Sequence, residues 1–303
     1  MSFIDKFYVE SWYIAFRIKQ SNGSIITNRK DPFIVIENDN RYWCADPFVV
    51  EYEGKAYVFF EAYDKKSNKG VIGYREINET EVGDIHIVIE EPYHLSYPFI
   101  YKDGSWYIMP ESYENNNLCV YKAKKFPDLW EKKHVLLNNI KTVDSTILYK
   151  NETSMKLFLY LRVGNDESGV FKIVDIQNSE VKEIYSKYDE NCVLRPGGKI
   201  IDHQEAQYRI SQLCKNIYGE ALLFNEILAN SADEYKELEQ FRIYVPDIQI
   251  NSKVNRKYIG IHTYNSSENY EVIDLKENKF RIWIGIQNLF KAVVKRIWRK
   301  NDV

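Results

Sequence analysis

Asp46-Pro47-Phe48-Val49-Val50, a turn at Glu53-Gly54-Lys55, Ala56-Tyr57-Val58-Phe59-Phe60-Glu61, a polar loop and Gly70-Val71-Ile72-Gly73-Tyr74 spell a strand, a tight turn, a second strand and a third. Their aromatic and β-branched residues fit a pleated, half-buried surface. The pattern returns at Tyr97-Pro98-Phe99-Ile100, with a turn at Lys102-Asp103-Gly104 and strands at Ser105–Met109 and Asn117–Tyr121. A third copy opens at Asp144-Ser145-Thr146-Ile147-Leu148, a fourth at Arg195-Pro196-Gly197-Gly198, and a degenerate fifth near Gly260-Ile261-His262-Thr263-Tyr264.

The copies start 51, 47, 51 and about 66 residues apart, a period that suits a four-stranded blade. Five copies predict an all-β, five-bladed β-propeller over residues 1–275. The early run Trp12-Tyr13-Ile14-Ala15-Phe16-Arg17 is expected to supply an outer strand to the last blade and close the ring. A doubly wound α/β fold is disfavoured, because helical patterns do not alternate with the strands.

The one helical pattern is terminal. Ile282, Ile286, Leu289, Phe290, Val293 and Ile297 recur at three- and four-residue spacing, and residues 276–303 hold eight Lys or Arg against Glu277 and Asp302. This stretch predicts a basic amphipathic helix, which would lie on an anionic membrane surface or pack against the propeller.

A net charge of −3 excludes the broad basic field that non-specific nucleic-acid binding needs. Cys44, Cys119, Cys192 and Cys214 lack paired spacing and read as reduced thiols in or near the core; no metal motif is assigned. The N-terminus lacks the pattern of a secretory signal, and no run of about 18 apolar residues occurs. The expected location is cytoplasmic, with peripheral attachment to the inner face of the membrane as a further expectation.

In a propeller the inner strands line the central axis, so equivalent repeat positions converge. That column is Asp46, Tyr97, Asp144, Arg195 and His262, with Trp43, His94, Ser96, Glu111, His203, Gln212 and Tyr218 around it. Acids, a guanidinium and an imidazole gathered there are costly to bury unless paired or used. A central Asp could equally accept backbone N–H bonds, or pair with Arg195 and hold blades together. His262 suits a central cation or water as readily as proton transfer.

The strings Trp43-Cys44-Ala45-Asp46-Pro47-Phe48, Glu91-Pro92-Tyr93-His94-Leu95-Ser96-Tyr97-Pro98-Phe99, Met109-Pro110-Glu111-Ser112, Val143-Asp144-Ser145-Thr146, Arg195-Pro196-Gly197-Gly198 and Gly260-Ile261-His262-Thr263 carry a resemblance. From about Trp12 to Asn265 the chain resembles the propeller domain at the N-terminus of plant glucosamine inositolphosphorylceramide transferases and its stand-alone bacterial relatives. That domain is in turn similar to the five-bladed propellers of glycoside hydrolase family 43.

The resemblance implies that Asp46 acts as general base and Asp144 as an orienting, pKa-tuning group. Family 43 takes its general acid from a Glu of a later blade. Here that neighbourhood offers Arg195-Pro196-Gly197 and Gln212, with Glu205 and Glu220 nearby, and Glu111 becomes the replacement. The candidate catalytic set is therefore Asp46, Asp144 and Glu111, with Trp43, His94, Tyr97, Arg195, Gln212 and His262 binding substrate. Arg195 suits an anionic group, so a sugar, sugar phosphate or nucleotide sugar is the expected ligand. Three functions follow as expectations: glycosyl transfer in glycan or glycolipid assembly, or service to a partner glycosyltransferase; glycosidase action; and glycan binding without catalysis.

Overall fold

The structure is a computed structural model that describes residues 8–20, 23–164, 168–177, 180–231 and 234–280. The N-terminal segment gives β1 (Tyr8–Ile18) and β2 (Phe33–Val35). Blade one follows as β3 (Tyr42–Tyr52), β4 (Lys55–Asp64), β5 (Lys69–Ile77) and β6 (His86–Ile89). Blade two comprises β7 (Ser96–Asp103), β8 (Ser105–Glu111), β9 (Asn117–Lys125) and β10 (Leu129–Asn138).

Blade three holds β11 (Val143–Lys150), β12 (Ser154–Arg162), β13 (Gly169–Gln177) and β14 (Glu180–Asp189). Blade four holds β15 (Ile201–His203), β16 (Ala206–Leu213), β17 (Ala221–Asn230) and β18 (Tyr235–Ile243). The remaining strands are β19 (Ile250–Asn251), β20 (Tyr258–Gly260), β21 (Tyr264–Ser266) and β22 (Tyr270–Phe280). The all-β, five-bladed propeller read from the repeat is thus the fold.

Burial falls from the axis outward. In β4, Ala56 through Ala62 are all buried, because both faces of an inner strand meet neighbouring blades. The outer strands β10, β14 and β18 are mostly exposed and rich in Lys and Glu, which blunts their unpaired edges. Apolar clusters fill the wedges between blades. Phe48, Phe59, Phe99, Ile108, Val120 and Leu157 belong to one that spans blades one to three.

Blade five is built from both parts of the chain. β1 pairs antiparallel with β22 from Tyr8↔Phe280 to Ile18↔Tyr270 and so helps close the ring as expected of Trp12–Arg17, but as an inner member of the sheet: β2 pairs on its other side and β19 lies outside β2. Its inner strand is broken: β20 and β21 both pair with β22, and residues 261–263 leave the ladder between them. The Asp274 carboxylate takes over there, accepting the N–H groups of His262 at 2.9 Å and Thr263 at 3.0 Å. Residues 276–280, expected to begin a helix, instead continue β22, because they pair with β1 across the whole strand. The division after residue 275 therefore falls inside a strand, and the expected helix from residue 281 lies outside the described residues.

A buried ion pair locks this closure. Arg17 Nε donates to Glu271 Oε2 at 2.6 Å, with side chains only 5% and 0% exposed. Glu271 Oε1 also accepts the Ile25 N–H at 2.8 Å and the Tyr264 hydroxyl. Arg17→Met strands the Glu271 charge and is expected to cost about 3–5 kcal/mol in urea unfolding. A cost under about 1 kcal/mol would detach ring closure from this pair.

Candidate functional site

In blades one to three the inner strand slips register with its neighbour at the same place. The slips fall between Ala45 and Phe48, Ser96 and Phe99, and Val143 and Thr146. Within each slip one residue has a left-handed backbone: φ is 51° at Asp46, 43° at Tyr97 and 49° at Asp144. Such a bulge costs roughly 1–3 kcal/mol for a side chain with a Cβ, and re-aims that side chain away from the blade face. Arg195 occupies the matching place in blade four, where its carbonyl accepts the Gln212 N–H at 2.8 Å.

These positions surround a cavity of about 270 Å³ at one end of the axis. Of the expected site residues, Trp43, Asp46, His94, Glu111, Asp144, Arg195 and His262 line it, as do Ser96 and Tyr218. Tyr97 and Gln212 stand behind its wall. Tyr97 is too long for the column: its hydroxyl crosses the axis to accept the Gly198 N–H at 2.7 Å and meets Thr146 Oγ1 at 2.8 Å. Gly198 has φ 148°, and a Cβ there would lie 2.0 Å from the Tyr264 carbonyl oxygen. Gln212 donates to Asp144 Oδ2 at 2.8 Å and to the Pro196 carbonyl. His203 lies elsewhere, 3.4 Å from Ser24 Oγ, and Glu220 bonds Asn216 on the surface.

Asp46, His262 and Asp274 form one half of the site. His262 Nδ1 stands 2.6 Å from Asp274 Oδ2 and Nε2 stands 3.4 Å from Asp46 Oδ1. Thr263 Oγ1 donates to Asp46 Oδ1 at 2.9 Å. Burial opposes the imidazolium, but Asp274 and Asp46 outweigh it and lift His262 to about 9. Burial, with the nearby Asp144 and Asp274 carboxylates, lifts Asp46 to about 6 against the pull of His262. The three side chains are close enough to hold a cation. Both ring nitrogens face carboxylates, an arrangement that also suits an imidazolium, whose charge would then stand where a cation would sit.

Asp144 anchors the other half. Arg195 Nε donates to Asp144 Oδ2, and Arg195 Nη2 reaches the Tyr218 hydroxyl at 3.3 Å. Two of the guanidinium nitrogens expected to clamp an anion are therefore engaged by Asp144 and Tyr218. Glu111 Oε2 accepts the Asp144 N–H at 3.1 Å. Burial and the adjacent Asp144 hold Glu111 well above the usual carboxylate range, although Arg195 pulls it down. Glu111 is thus biased toward its neutral form in the cavity that Asp46 also lines, a pairing that acid–base chemistry can use.

Glu61 was absent from the expected set. It pairs across strands with Ala45 as Glu111 pairs with Ser96, so the two glutamates are equivalent in the repeat. That shared register, Phe59-Phe60-Glu61 against Met109-Pro110-Glu111, is the signal that identifies it. Burial, with Asp46 and Glu111 nearby, raises Glu61 well above the usual carboxylate range too. His94 Nδ1 accepts the Gly70 N–H at 3.0 Å, which leaves its proton on Nε2, 3.3 Å from Glu61 Oε1. Trp12, carried in by ring closure, stacks on His262 with centroids 4.0 Å apart. Trp43 stacks on Tyr63 at 4.5 Å and gives the cavity an aromatic platform.

The raised His262 value links this half of the site to stability. Its contribution is complete below the ordinary value of 6.5 and is lost as pH rises through about 9. Unfolding free energy should therefore fall by roughly 1–3 kcal/mol between pH 6.5 and 9, and His262→Gln should flatten that fall. Equal slopes in the two proteins, measured by urea titration across this window, would refute the imidazolium.

The sequence matches the family described as "Glucosamine inositolphosphorylceramide transferase 1, N-terminal" over residues 36–287. Glucosamine inositolphosphorylceramide transferase 1 of Arabidopsis thaliana is 29% identical over 214 residues, covering 64% of this chain and 27% of that protein. Its namesake in Oryza sativa subsp. indica is 26% identical over 254 residues, covering 80% and 32%. The chain thus spans about a third or less of these curated relatives. Among solved structures, the catalytic domain of Coprinopsis cinerea GH62 alpha-L-arabinofuranosidase aligns with TM-score 0.54 and 12% identity, over 82% of this chain and 95% of that one. A structure described as a glycoside hydrolase aligns with TM-score 0.50 and 12% identity, over 76% and 58%. At such identity these two share the fold. With the family match running through four blades and into the fifth, the chain belongs to the glucosamine inositolphosphorylceramide transferase 1 N-terminal family.

Proposed function

We propose that the axial cavity transfers a glycosyl group from an activated sugar to an acceptor hydroxyl in glycan or glycolipid assembly. The observation that carries this reading is the pairing in one cavity of Asp46, at about 6, with Glu111, which burial raises well above the usual carboxylate range. Asp46 takes the proton of the acceptor hydroxyl as it attacks the anomeric carbon. Glu111 donates a hydrogen bond or a proton to the departing oxygen, and Asp144 is oriented by Arg195 and Gln212. The Trp43–Tyr63 stack offers a flat apolar face for a sugar ring. The names of the curated relatives favour a sugar donor, and a nucleotide sugar is the natural first candidate.

A glycosidase uses the same two groups with water as acceptor, and the raised Glu111 favours that second reading. Turnover separates the two. The protein is incubated with uridine diphosphate sugars plus simple glycosides, and separately with neutral oligosaccharides. Release of uridine diphosphate that falls by about 10²–10⁴ in Asp46→Asn is the expected result. The rate should rise with pH through about 6 as Asp46 ionises. Reducing sugar from oligosaccharides, lost in Asp46→Asn, would replace transfer with hydrolysis. Binding of oligosaccharides without turnover would make the propeller a sugar-presenting partner of a transferase.

A further inference from the structure

The inner strands of blades two and three run from the acid-rich cavity toward a second cavity, lined by residues of blades two to four. Asp144 near the start of β11 lines the first; Ile147 and Lys150 farther along the same strand line the second. The Tyr97 hydroxyl, bonded to Gly198 and Thr146, stands between the two sets. The second cavity measures about 580 Å³, within the usual range for small-molecule sites. Its wall includes Phe99, Ile147 and Ile200, and Lys199 enters from blade four.

Lys199 is the unusual member. Its ammonium lies 5.9 Å from the ring centroids of both Phe48 and Phe99, and it forms no ion pair among the described residues. Its backbone is fixed: the Lys199 N–H donates to Asn265 Oδ1 at 2.8 Å, and Asn265 Nδ2 donates to the Pro47 carbonyl at 2.7 Å. Three of the four neighbouring charges are engaged. Lys150 pairs with Asp103, and the Lys102 ammonium lies over the Tyr52 and Trp106 rings; Glu152 is exposed. Lys199 is half-buried, and burial depresses its amine to about 8, so an anion in the cavity would meet a partly desolvated charge.

We propose that this second cavity binds an anionic amphiphile, with a phosphate monoester or carboxylate on Lys199 and an apolar body against Phe99, Ile147 and Ile200. Aromatic rings lend the ammonium partial compensation, whereas an oxyanion gives a charge-assisted hydrogen bond. The site is separate from Asp46 and Glu111 and does not depend on the reaction assigned to them.

Calorimetric titration with octyl phosphate, octanoate, octanol and inorganic phosphate tests the assignment. At least one octyl anion should bind saturably and one to one, and comparing the two anions identifies the headgroup. Octanol and inorganic phosphate should each bind at least about tenfold more weakly, since each lacks one half of the recognition. Lys199→Gln should weaken the anion by about tenfold or more, and Lys199→Arg should retain it within about threefold. Ile147→Trp, which fills the cavity and leaves the lysine in place, should also abolish binding; Asp46→Asn should leave it unchanged. Octanol binding as tightly as the anions, undiminished binding to folded Lys199→Gln, loss in Asp46→Asn, or no saturable binding of either anion would each overturn the proposal.

Discussion

Asp46, Tyr97 and Asp144 leave their ladders with positive φ, and each exposes an N–H that its own blade no longer satisfies. The preceding blade supplies the acceptor. Asp274 of blade five takes the Asp46 N–H at 3.1 Å, Asp46 takes the Tyr97 N–H at 3.1 Å, and Glu111 of blade two takes that of Asp144. Asp144 then holds Arg195 of blade four. Carboxyl groups therefore act as joints between successive blades, and the backbone strain persists because the closed ring determines it on every side. The same joints place the acids around one cavity, so architecture and candidate chemistry share a cause.

This arrangement also moderates the charge of the site. Five carboxyl groups around one axis would repel one another strongly if all were ionised. Burial pushes Glu61 and Glu111 toward their neutral forms, while His262 and Arg195 are held toward their charged forms. What results is a mixed set of proton donors and acceptors instead of an anionic well. Arg195 belongs to that balance: it holds Asp144, the pairing that the sequence offered beside an anion clamp.

The repeat was legible because each inner strand repeats its apolar run and its turn, and the column positions 46, 97, 144 and 195 recur at nearly constant spacing. Blade five hides its logic. Asp274 sits in an ordinary alternating stretch, and its role appears only when residues 261–263 leave the ladder. Tyr97 obeys the column in its backbone but not in its side chain, whose length carries the hydroxyl across the axis. Trp12 was legible as part of a strand but not as part of the site, since ring closure alone brings it to His262. Glu61 could have been found by applying to the second strands the register argument used for the first.

The pairing of Tyr8 with Phe280 has a mechanical consequence. The two outermost residues of the β1–β22 ladder are partners, so tension applied through them loads its bonds one after another, as in a zipper, and not all at once in shear. Heat or denaturant must defeat the packed wedges between blades, whereas a modest pull at this corner starts by peeling β1. The ladder that closes the ring is thus loaded in its unzipping geometry at that corner.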